Sequence, residues 1–482
     1  MSGSGNRAFR ASPSRSTVVS HSITRRAATW TLALAATLVG AGGVLAQTPP
    51  DAASVAPERG PVETFDPLDG VDPSGRIPRV ELPVDLPNPG RWRYIPEGRL
   101  KPGNPFERFL VSSFVAPFVF RDSDVGTGGG LSFTDIDFRE QRRQEFAGVF
   151  LSYTTKGQQS YSALWQRWLH HRELPEGGVL QEERSRVRAY GGYSKSLTRR
   201  FFGFGADSDE DDESSYTDEV VELALSLEHA LPEPGSDWVV SLGASGELHR
   251  LGGGEVSGEP DTKQAFPRAF DAARDSDLAW AEAGLRWDTR DSQILPYTGW
   301  MVAAFGKSAL LQTHGDVGLL YGLEVQRLIP LPGLLHAGGD ADEEHPPTDS
   351  LALHVSGTGS AGNLPFFALP SLGGAYTHRG FIAGRFRDEA SWYGVAEYRF
   401  WVLPRGFRIP FSRTLRVERV GLAPFYEIGS VAGDVPRLFE SRVRHSYGIG
   451  VRATLERLAP FRVDVGFSEE GAEVTARFGL SF

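Results

Sequence analysis

The carboxyl-terminal part of the chain alternates apolar and polar residues with a period of two. In the last segment, residues 473–482, one face carries five apolar side chains: Val474, Ala476, Phe478, Leu480 and Phe482. The segment 461–467 repeats the pattern, with Arg462 and Asp464 on its polar face. Successive side chains of a β-strand point to opposite faces, whereas the faces of a helix repeat about every 3.6 residues. The alternation therefore predicts β-strands up to the end of the chain.

Similar segments recur from about residue 106, separated by connections rich in Gly, Pro or charged residues. An even number of strands is expected, because a single-chain barrel with both termini on one side of a membrane closes that way. We predict about sixteen strands, near residues 112–121, 128–138, 145–155, 159–169, 185–195, 216–229, 237–248, 278–288, 300–311, 318–328, 351–359, 392–402, 418–428, 445–455, 461–467 and 473–482.

The alternation alone fits a soluble β-sandwich as well as a membrane barrel. Three features favour the barrel: an export leader, aromatic residues at the ends of segments, and arginines on the polar face, such as Arg399 and Arg452. A sandwich would bury the apolar face, whereas a barrel turns it towards lipid and keeps the arginines in a wet lumen. We therefore predict an all-β fold, a transmembrane antiparallel β-barrel over residues 105–482.

Residues 1–46 have the features of a signal peptide. Five arginines and no acidic residue precede a mostly apolar run from Ala27 to Ala46, and Val44-Leu45-Ala46 fits a signal peptidase site. Arg25-Arg26 raises the question of twin-arginine export, but a barrel must cross the inner membrane unfolded, which favours Sec-dependent export. The alternative is an uncleaved anchor helix, although the run is only marginally long enough to span a bilayer.

Residues 47–104 form a proline-rich segment, with thirteen prolines from Pro49 to Pro105. Such a stretch buries little apolar surface and cannot form a long regular ladder, so we expect an extended or disordered periplasmic tail. Its end, Arg91-Trp92-Arg93-Tyr94, has two interpretations: an unpacked linker, which we favour, or a segment that packs against a barrel rim or plugs its periplasmic mouth.

Composition and motif searches give no support for enzyme chemistry or for nucleic-acid binding. The chain has no cysteine and a net charge of −11, so thiolate chemistry is excluded and nucleic acid is disfavoured as a partner. The acidic run 207–213 resembles a Ca²⁺ loop, but Asp212 stands where an EF-hand needs glycine, which favours a solvated loop. His170 and His171 could be metal ligands, but adjacent residues on a strand point apart, so we favour surface histidines. We therefore expect no catalytic residue, no metal and no cofactor.

Three groups of residues resemble one family. The first runs through Pro370-Ser371-Leu372-Gly373-Gly374, Thr377-His378-Arg379-Gly380-Phe381, Arg385-Phe386-Arg387-Asp388 and Glu397-Tyr398-Arg399. The second is Asp288-Thr289-Arg290-Asp291 followed by Pro296 and Gly299, and the third is Phe425-Tyr426-Glu427-Ile428-Gly429-Ser430-Val431. Together they resemble the sixth extracellular loop, a periplasmic turn and a Phe-x-Asp-x-Gly strand of the BamA/TamA (bacterial surface antigen) superfamily. Glu427 replaces the expected Asp, which keeps the charge on a longer arm.

The resemblance implies that the long loop 361–391 folds into the barrel, with Arg379, Gly380 and Phe381 in the lumen. A guanidinium in a confined lumen needs carboxylate partners. Glu427 is our first choice, because it lies where the family places its acidic partner. Glu397 and Asp464 are the other candidates, since alternation puts them on polar strand faces. The alternative is a solvated Arg379 at the tip of an outward loop.

Two further groups have simpler expected roles. Asp288 and Asp291 are expected to cap turn amides around Arg290, with Pro296 and Gly299 shaping the return of the chain. The apolar residues Phe478, Leu480 and Phe482 resemble the carboxyl-terminal signal by which outer-membrane barrels are recognised for assembly.

The resemblance implies a non-enzymatic outer-membrane protein that aids protein insertion or translocation. Related factors receive clients through periplasmic POTRA domains of about 75 residues, and residues 47–104 are too few and too proline-rich for one, so we expect a POTRA-less member. Expected partners are outer-membrane lipid, the barrel-assembly machinery during biogenesis and a separate periplasmic protein. The alternatives are a barrel that passes solutes or lipids, a structural barrel, and an outer-membrane lipid hydrolase.

Overall fold

The computed structural model describes residues 69–100, 113–122, 124–313, 315–340, 342–408, 416–455 and 459–482. The predicted signal peptide and the first part of the proline-rich segment lie outside the described residues. Within the described ranges, no helix is long and apolar enough to cross a membrane.

Sixteen long strands dominate the described chain, each pairing antiparallel with the next in sequence. They are β1 (Ser113–Asp122), β2 (Gly126–Asp135), β3 (Glu145–Thr154), β4 (Gln159–Trp168), β5 (Arg186–Phe201), β6 (Ser214–Leu231), β7 (Trp238–Gly253), β8 (Asp277–Asp288), β9 (Gly299–Gln312), β10 (Gly318–Leu331), β11 (Asp349–Ala361), β12 (Ala390–Leu403), β13 (Arg416–Ala432), β14 (Arg444–Leu455), β15 (Ala459–Ser468) and β16 (Gly471–Phe478).

These strands form one antiparallel barrel sheet, and a short strand, Phe407–Arg408, adds to β13. The register is continuous from Ser113 opposite Asp135 in the first pair to Phe461 opposite Phe478 in the last. The pairings described for these residues do not include one between β1 and β16. Each predicted strand overlaps one observed strand, so the predicted fold class is confirmed.

The barrel is apolar outside and polar inside. Along β10, every second residue exposes a large apolar side chain, from Leu319 through Tyr321 and Leu323 to Val325. Along β14, the alternate residues Ser446, Arg452 and Thr454 are buried. Burying polar groups while exposing apolar ones is unfavourable in water, and it is the arrangement expected where hydrocarbon surrounds a barrel.

The two barrel ends differ in their connections. We call the end where β1 begins and β16 ends the lower end, and the opposite end the upper end. At the upper end, the β7–β8 connection contains two short helices, α1 (Thr262–Ala265) and α2 (Pro267–Ala273). Phe270 of α2 packs with Phe201, Tyr216 and Phe366 in a buried aromatic cluster. Short 3-10 turns cover Pro89–Arg91, Glu97–Arg99, Phe138–Glu140, Glu210–Asp212, Phe366–Ala368 and Pro436–Phe439.

Residues 69–100 are packed at the lower end, which corrects the interpretation of this part as an unpacked, extended or disordered linker. Strand Trp92–Ile95 pairs with Val179–Glu182, which also pairs with His171–Glu173, so the three form a small sheet. Residues 90–95 are the longest proline-free stretch within 69–100. A strand can form there because every residue in this stretch has a backbone N–H that can donate within a ladder.

Candidate functional site

The connection between β11 and β12, residues 362–389, folds into the barrel. Strands Ser371–Leu372 and Phe386–Arg387 pair within it and form a narrow neck. At the tip, His378, Arg379 and Phe381 are almost completely inaccessible to solvent, and Arg379 has 0% exposure. The tip is therefore enclosed by the strands rather than solvated at the upper end.

Arg379 contacts all three predicted carboxylates. Its Nε donates to Oε1 of Glu427 at 2.7 Å, and its backbone N–H donates to Oε2 of the same group at 2.6 Å. Its NH1 donates to Glu397 at 2.8 Å and lies 3.4 Å from Asp464. The guanidinium carbon is 3.5 Å from the ring centroid of Phe425, a cation–π contact. Thus one loop residue binds β12, β13 and β15 at once.

The loop tip approaches β15 backbone to backbone. A Cβ on Gly380 would collide with the main chain of Phe467, and a Cβ on Gly466 would collide with the main chain of Arg379. Ser468 Oγ also donates to the carbonyl of Gly380 at 2.7 Å. The two glycines thus permit the close approach that brings Arg379 within reach of Glu427 and Asp464.

Three strand arginines complete the buried charge network. Arg399 donates to Glu397 at 2.8 Å, and Arg452 bridges Glu397 at 2.9 Å and Asp464 at 2.7 Å. Arg462 pairs with Asp464. These arginines were not among the predicted site residues, although the i, i+2 spacings Glu397–Arg399 and Arg462–Asp464 place each pair on one strand face. Within the network, four guanidiniums surround three carboxylates.

Two neutral hydroxyl groups complete the hydrogen bonding of the Glu427 carboxylate. Tyr393 OH donates to Oε1 at 2.6 Å, and Ser446 Oγ donates to Oε2 at 2.8 Å. Nδ1 of His378 lies 3.1 Å from Ser446 Oγ. A buried carboxylate is stable only when its oxygens are paired and hydrogen-bonded, and here both oxygens have two donors. The arrangement therefore fixes the loop in one position.

The loop neck is held by Arg385 and Arg387, two arginines of the loop motif. Arg385 donates to Glu470 at 2.7 Å and to the backbone and side chain of Ser208 at 2.9 Å. Arg387 donates to the carbonyls of Phe366 and Phe367. The loop is consequently attached at its neck as well as at its tip.

The turn between β8 and β9 has the expected capping contacts. Asp288 accepts hydrogen bonds from the backbone N–H and guanidinium of Arg290, and Asp291 accepts from the backbone N–H groups of Tyr297 and Thr298. Pro296 is buried. Gly299 has φ +110°, and a Cβ there would meet the main chain of Thr289 and Arg290. The conformation of the turn therefore depends on these particular residues.

The last residues leave the sheet, so the strand predicted to continue to Phe482 is four residues too long. β16 ends at Phe478, and Gly479 follows with φ +90°. Leu480 packs against Leu295, Tyr297 and Trp401, while Ser481 Oγ donates to Glu397 at 3.2 Å. The ring of Phe482 lies near Arg399. A left-handed glycine redirects the chain, and the buried charge network takes up its end.

The chain is similar to one known protein family and to several solved structures. A model described as the Omp85 superfamily domain matches residues 111–482. BamA from Haemophilus ducreyi, solved lacking POTRA domains 1–3, is 13% identical, with 77% of this chain and 70% of that chain covered and a TM-score of 0.46. CdiB from Acinetobacter baumannii is 12% identical, with 76% and 58% covered and a TM-score of 0.42.

CdiB from Escherichia coli is 11% identical, with 76% of this chain and 62% of that chain covered and a TM-score of 0.49. The chain therefore spans less than two thirds of the length of either CdiB structure. No curated protein matches the sequence.

Proposed function

The chain belongs to the Omp85 superfamily of outer-membrane β-barrels, and we propose that it aids the insertion or translocation of polypeptides at the bacterial outer membrane without enzymatic chemistry. In this proposal the lower end faces the periplasm, and the protein reaches the membrane after Sec-dependent export. Its partners are outer-membrane lipid, the barrel-assembly machinery during biogenesis and a separate periplasmic protein.

The observation that carries the proposal is the fixation of the lumen loop by Arg379. The three carboxylates that it contacts lie on β12, β13 and β15, which belong to the last five strands of the barrel. The resemblance implies that clients are handled at the seam between first and last strands. A loop that holds the neighbouring strands in register would keep the barrel intact while its seam works.

The loop and the end of the chain occupy the part of the lumen beside β12–β15, which argues against a wide, steady pore. The loop tip, the charge network and the end of the chain share the space beside β12–β15. In planar bilayers we expect small or intermittent conductance rather than a large steady current. A large steady current would favour the alternative, a barrel that passes solutes or lipids.

The test is client folding in proteoliposomes. An unfolded eight-stranded outer-membrane barrel is added to vesicles with and without the chain, and its folding is followed by heat-modifiable gel mobility. We expect a several-fold higher initial rate with the chain, lost in Arg379→Ala and kept in Ile382→Ala. A correctly folded chain that leaves the rate at that of empty vesicles would refute the proposal.

A phospholipase assay on the same vesicles addresses the hydrolase alternative. Lipid hydrolysis that is abolished by serine modification would identify an enzyme.

A further inference from the structure

The segment 76–97 binds five separate connections at the lower end of the barrel: 136–144, 169–185, 232–237, 289–298 and 332–348. Arg76 pairs with Asp340 and Asp342 at 2.8 and 3.0 Å, and the Glu344 backbone N–H donates to the carbonyl of Ile77. Asn88 donates to the carbonyl of Pro234 at 3.1 Å. One short stretch thus reaches across the barrel mouth, and we call residues 76–97 the cap.

At the centre of the cap, a four-residue strand completes a sheet edge. Trp92 pairs with Glu182, and Ile95 pairs with Val179. The strand Val179–Glu182 is the outer strand of a hairpin that the barrel itself supplies, since its other neighbour is His171–Glu173. An open strand edge presents unpaired N–H and C=O groups, which any extended polypeptide can satisfy.

Contacts on both sides of the strand define what this edge accepts. Before it, Arg91 donates to Asp237 at 3.0 Å and to the carbonyl of Arg290. Within it, the buried Ile95 packs against Val179. After it, Glu97 accepts from the Gly178 backbone N–H at 2.7 Å and from Arg142 at 2.8 Å. The pattern is a basic residue, an apolar residue four positions later and an acidic residue two further on.

The cap covers the mouth without filling it. An open cleft of about 560 Å³ lies between it and the barrel turns, lined among others by Arg79, Trp92, Arg184, Arg290 and Tyr297. Beside this space the cap is attached by its strand, its charged anchors and the small apolar cluster of Ile95 and Val179, so few packed contacts would have to break for it to detach from the barrel.

We infer that Trp92–Ile95 occupies, in cis, a strand-addition site that binds an extended polypeptide when the cap is displaced. The inference rests on the proposed function, because it takes the ligand to be a polypeptide client. The cap then acts as a tethered mimic of that client. A short tether gives an effective concentration of the order of millimolar, so a free peptide with a micromolar dissociation constant competes poorly until the cap weakens.

The test uses the full chain in detergent and a fluorescent peptide with the sequence of residues 88–100. The variant Arg91→Ala/Glu97→Ala removes the two charged anchors that flank the strand. Their partners Asp237 and Arg142 and the strand edge remain. We expect this variant to bind the peptide at least about tenfold tighter than wild type. A peptide carrying Arg93→Pro should not bind, because Arg93 is the register partner of Gln181 and proline there removes a ladder N–H.

A disulfide provides the second arm, since the natural chain has no cysteine. Arg93 and Gln181 are register partners, and cross-strand Cα separations suit a disulfide. Adding Arg93→Cys/Gln181→Cys to the weakened variant should abolish peptide binding when oxidised and restore it when reduced. The control pair Ser160→Cys/Ser194→Cys joins two barrel strands in register and should leave peptide binding unchanged in both states.

The inference would be overturned if wild type, the weakened variant and the oxidised disulfide variant all bound the peptide equally. It would also be overturned if the proline peptide bound as tightly as the unmodified peptide. Because binding is measured without client folding, these results are independent of the insertion assay. If the peptide behaves as expected but vesicles show no client folding, the strand-addition site stands and the proposed function fails.

Discussion

At Arg379, one side chain links a loop to three strands in a site that excludes solvent. Among the described residues, Arg379→Ala leaves Glu427 without a cationic donor and Glu397 with only Arg399 and Arg452, and removing one partner of a buried ion pair costs about 3–5 kcal/mol. We expect a lower folded fraction at equal urea concentration in a barrel-folding gel-shift assay. Arg379→Lys should be nearly as harmful, because a single ammonium cannot span Glu427 and Glu397.

Ile382→Ala is the matched control for Arg379, because Ile382 lies in the same loop and is only half-buried. Its effect should be clearly smaller. If both alanine variants lower the folded fraction equally, the loop tip contributes no specific charge contact to assembly.

Gly380 is a second position where one atom decides the geometry. Gly380→Ala places a methyl group against the main chain of Phe467, and overpacking of this kind costs about 1–3 kcal/mol. We expect faster proteolysis of the 362–389 loop in the folded barrel. Gly246→Ala, where no heavy atom lies within 4 Å of the added Cβ, should leave the rate of cleavage unchanged.

At the scale of one element, the β8–β9 turn carries a pH dependence. Burial raises the pKa of Asp291 above its ordinary value, so the folded chain holds this proton more tightly than the unfolded chain. The resulting destabilisation is absent below the unfolded pKa and is fully present above the folded pKa. Asp291→Asn keeps an oxygen acceptor for the two turn amides. It should therefore raise the midpoint of heat modification at pH 7.

That gain should shrink as the pH approaches 4, because wild-type Asp291 then becomes protonated. A gain that is independent of pH would mean that the ionisation of Asp291 does not affect stability.

At the scale of the whole molecule, the apolar outer face and polar interior of the barrel predict where a charged side chain is tolerated. Leu323 is 63% exposed on the outer face of β10, and Leu335 is 60% exposed in the connection after that strand. Leu323→Arg should destabilise the barrel in lipid vesicles by about 2–4 kcal/mol if the residue lies near the bilayer midplane. Leu335→Arg should be nearly neutral. Urea titrations of the folded fraction in vesicles measure both, and equal effects would place Leu323 outside the hydrocarbon.

Sequence alone determined the positions of the sixteen barrel strands and the superfamily, and the match over residues 111–482 confirms the superfamily. These features are local: a period of two reports which side of a strand meets which solvent, whatever the partner strand. The same alternation put Glu397 and Asp464 on polar faces. It did not show that Arg452 joins them, because that contact depends on the register between β14, β12 and β15.

Only the tertiary structure decided how the ends of the chain are used. The proline content of residues 47–104 predicted a tail. However, Trp92–Ile95 pairs with Val179–Glu182, a strand that is distant in sequence and lies at the barrel mouth. Likewise, alternation carried the last strand to Phe482, whereas Gly479 turned it and Ser481 reached Glu397. In both cases the partner is supplied by residues far away in the chain, so no local pattern contains the information.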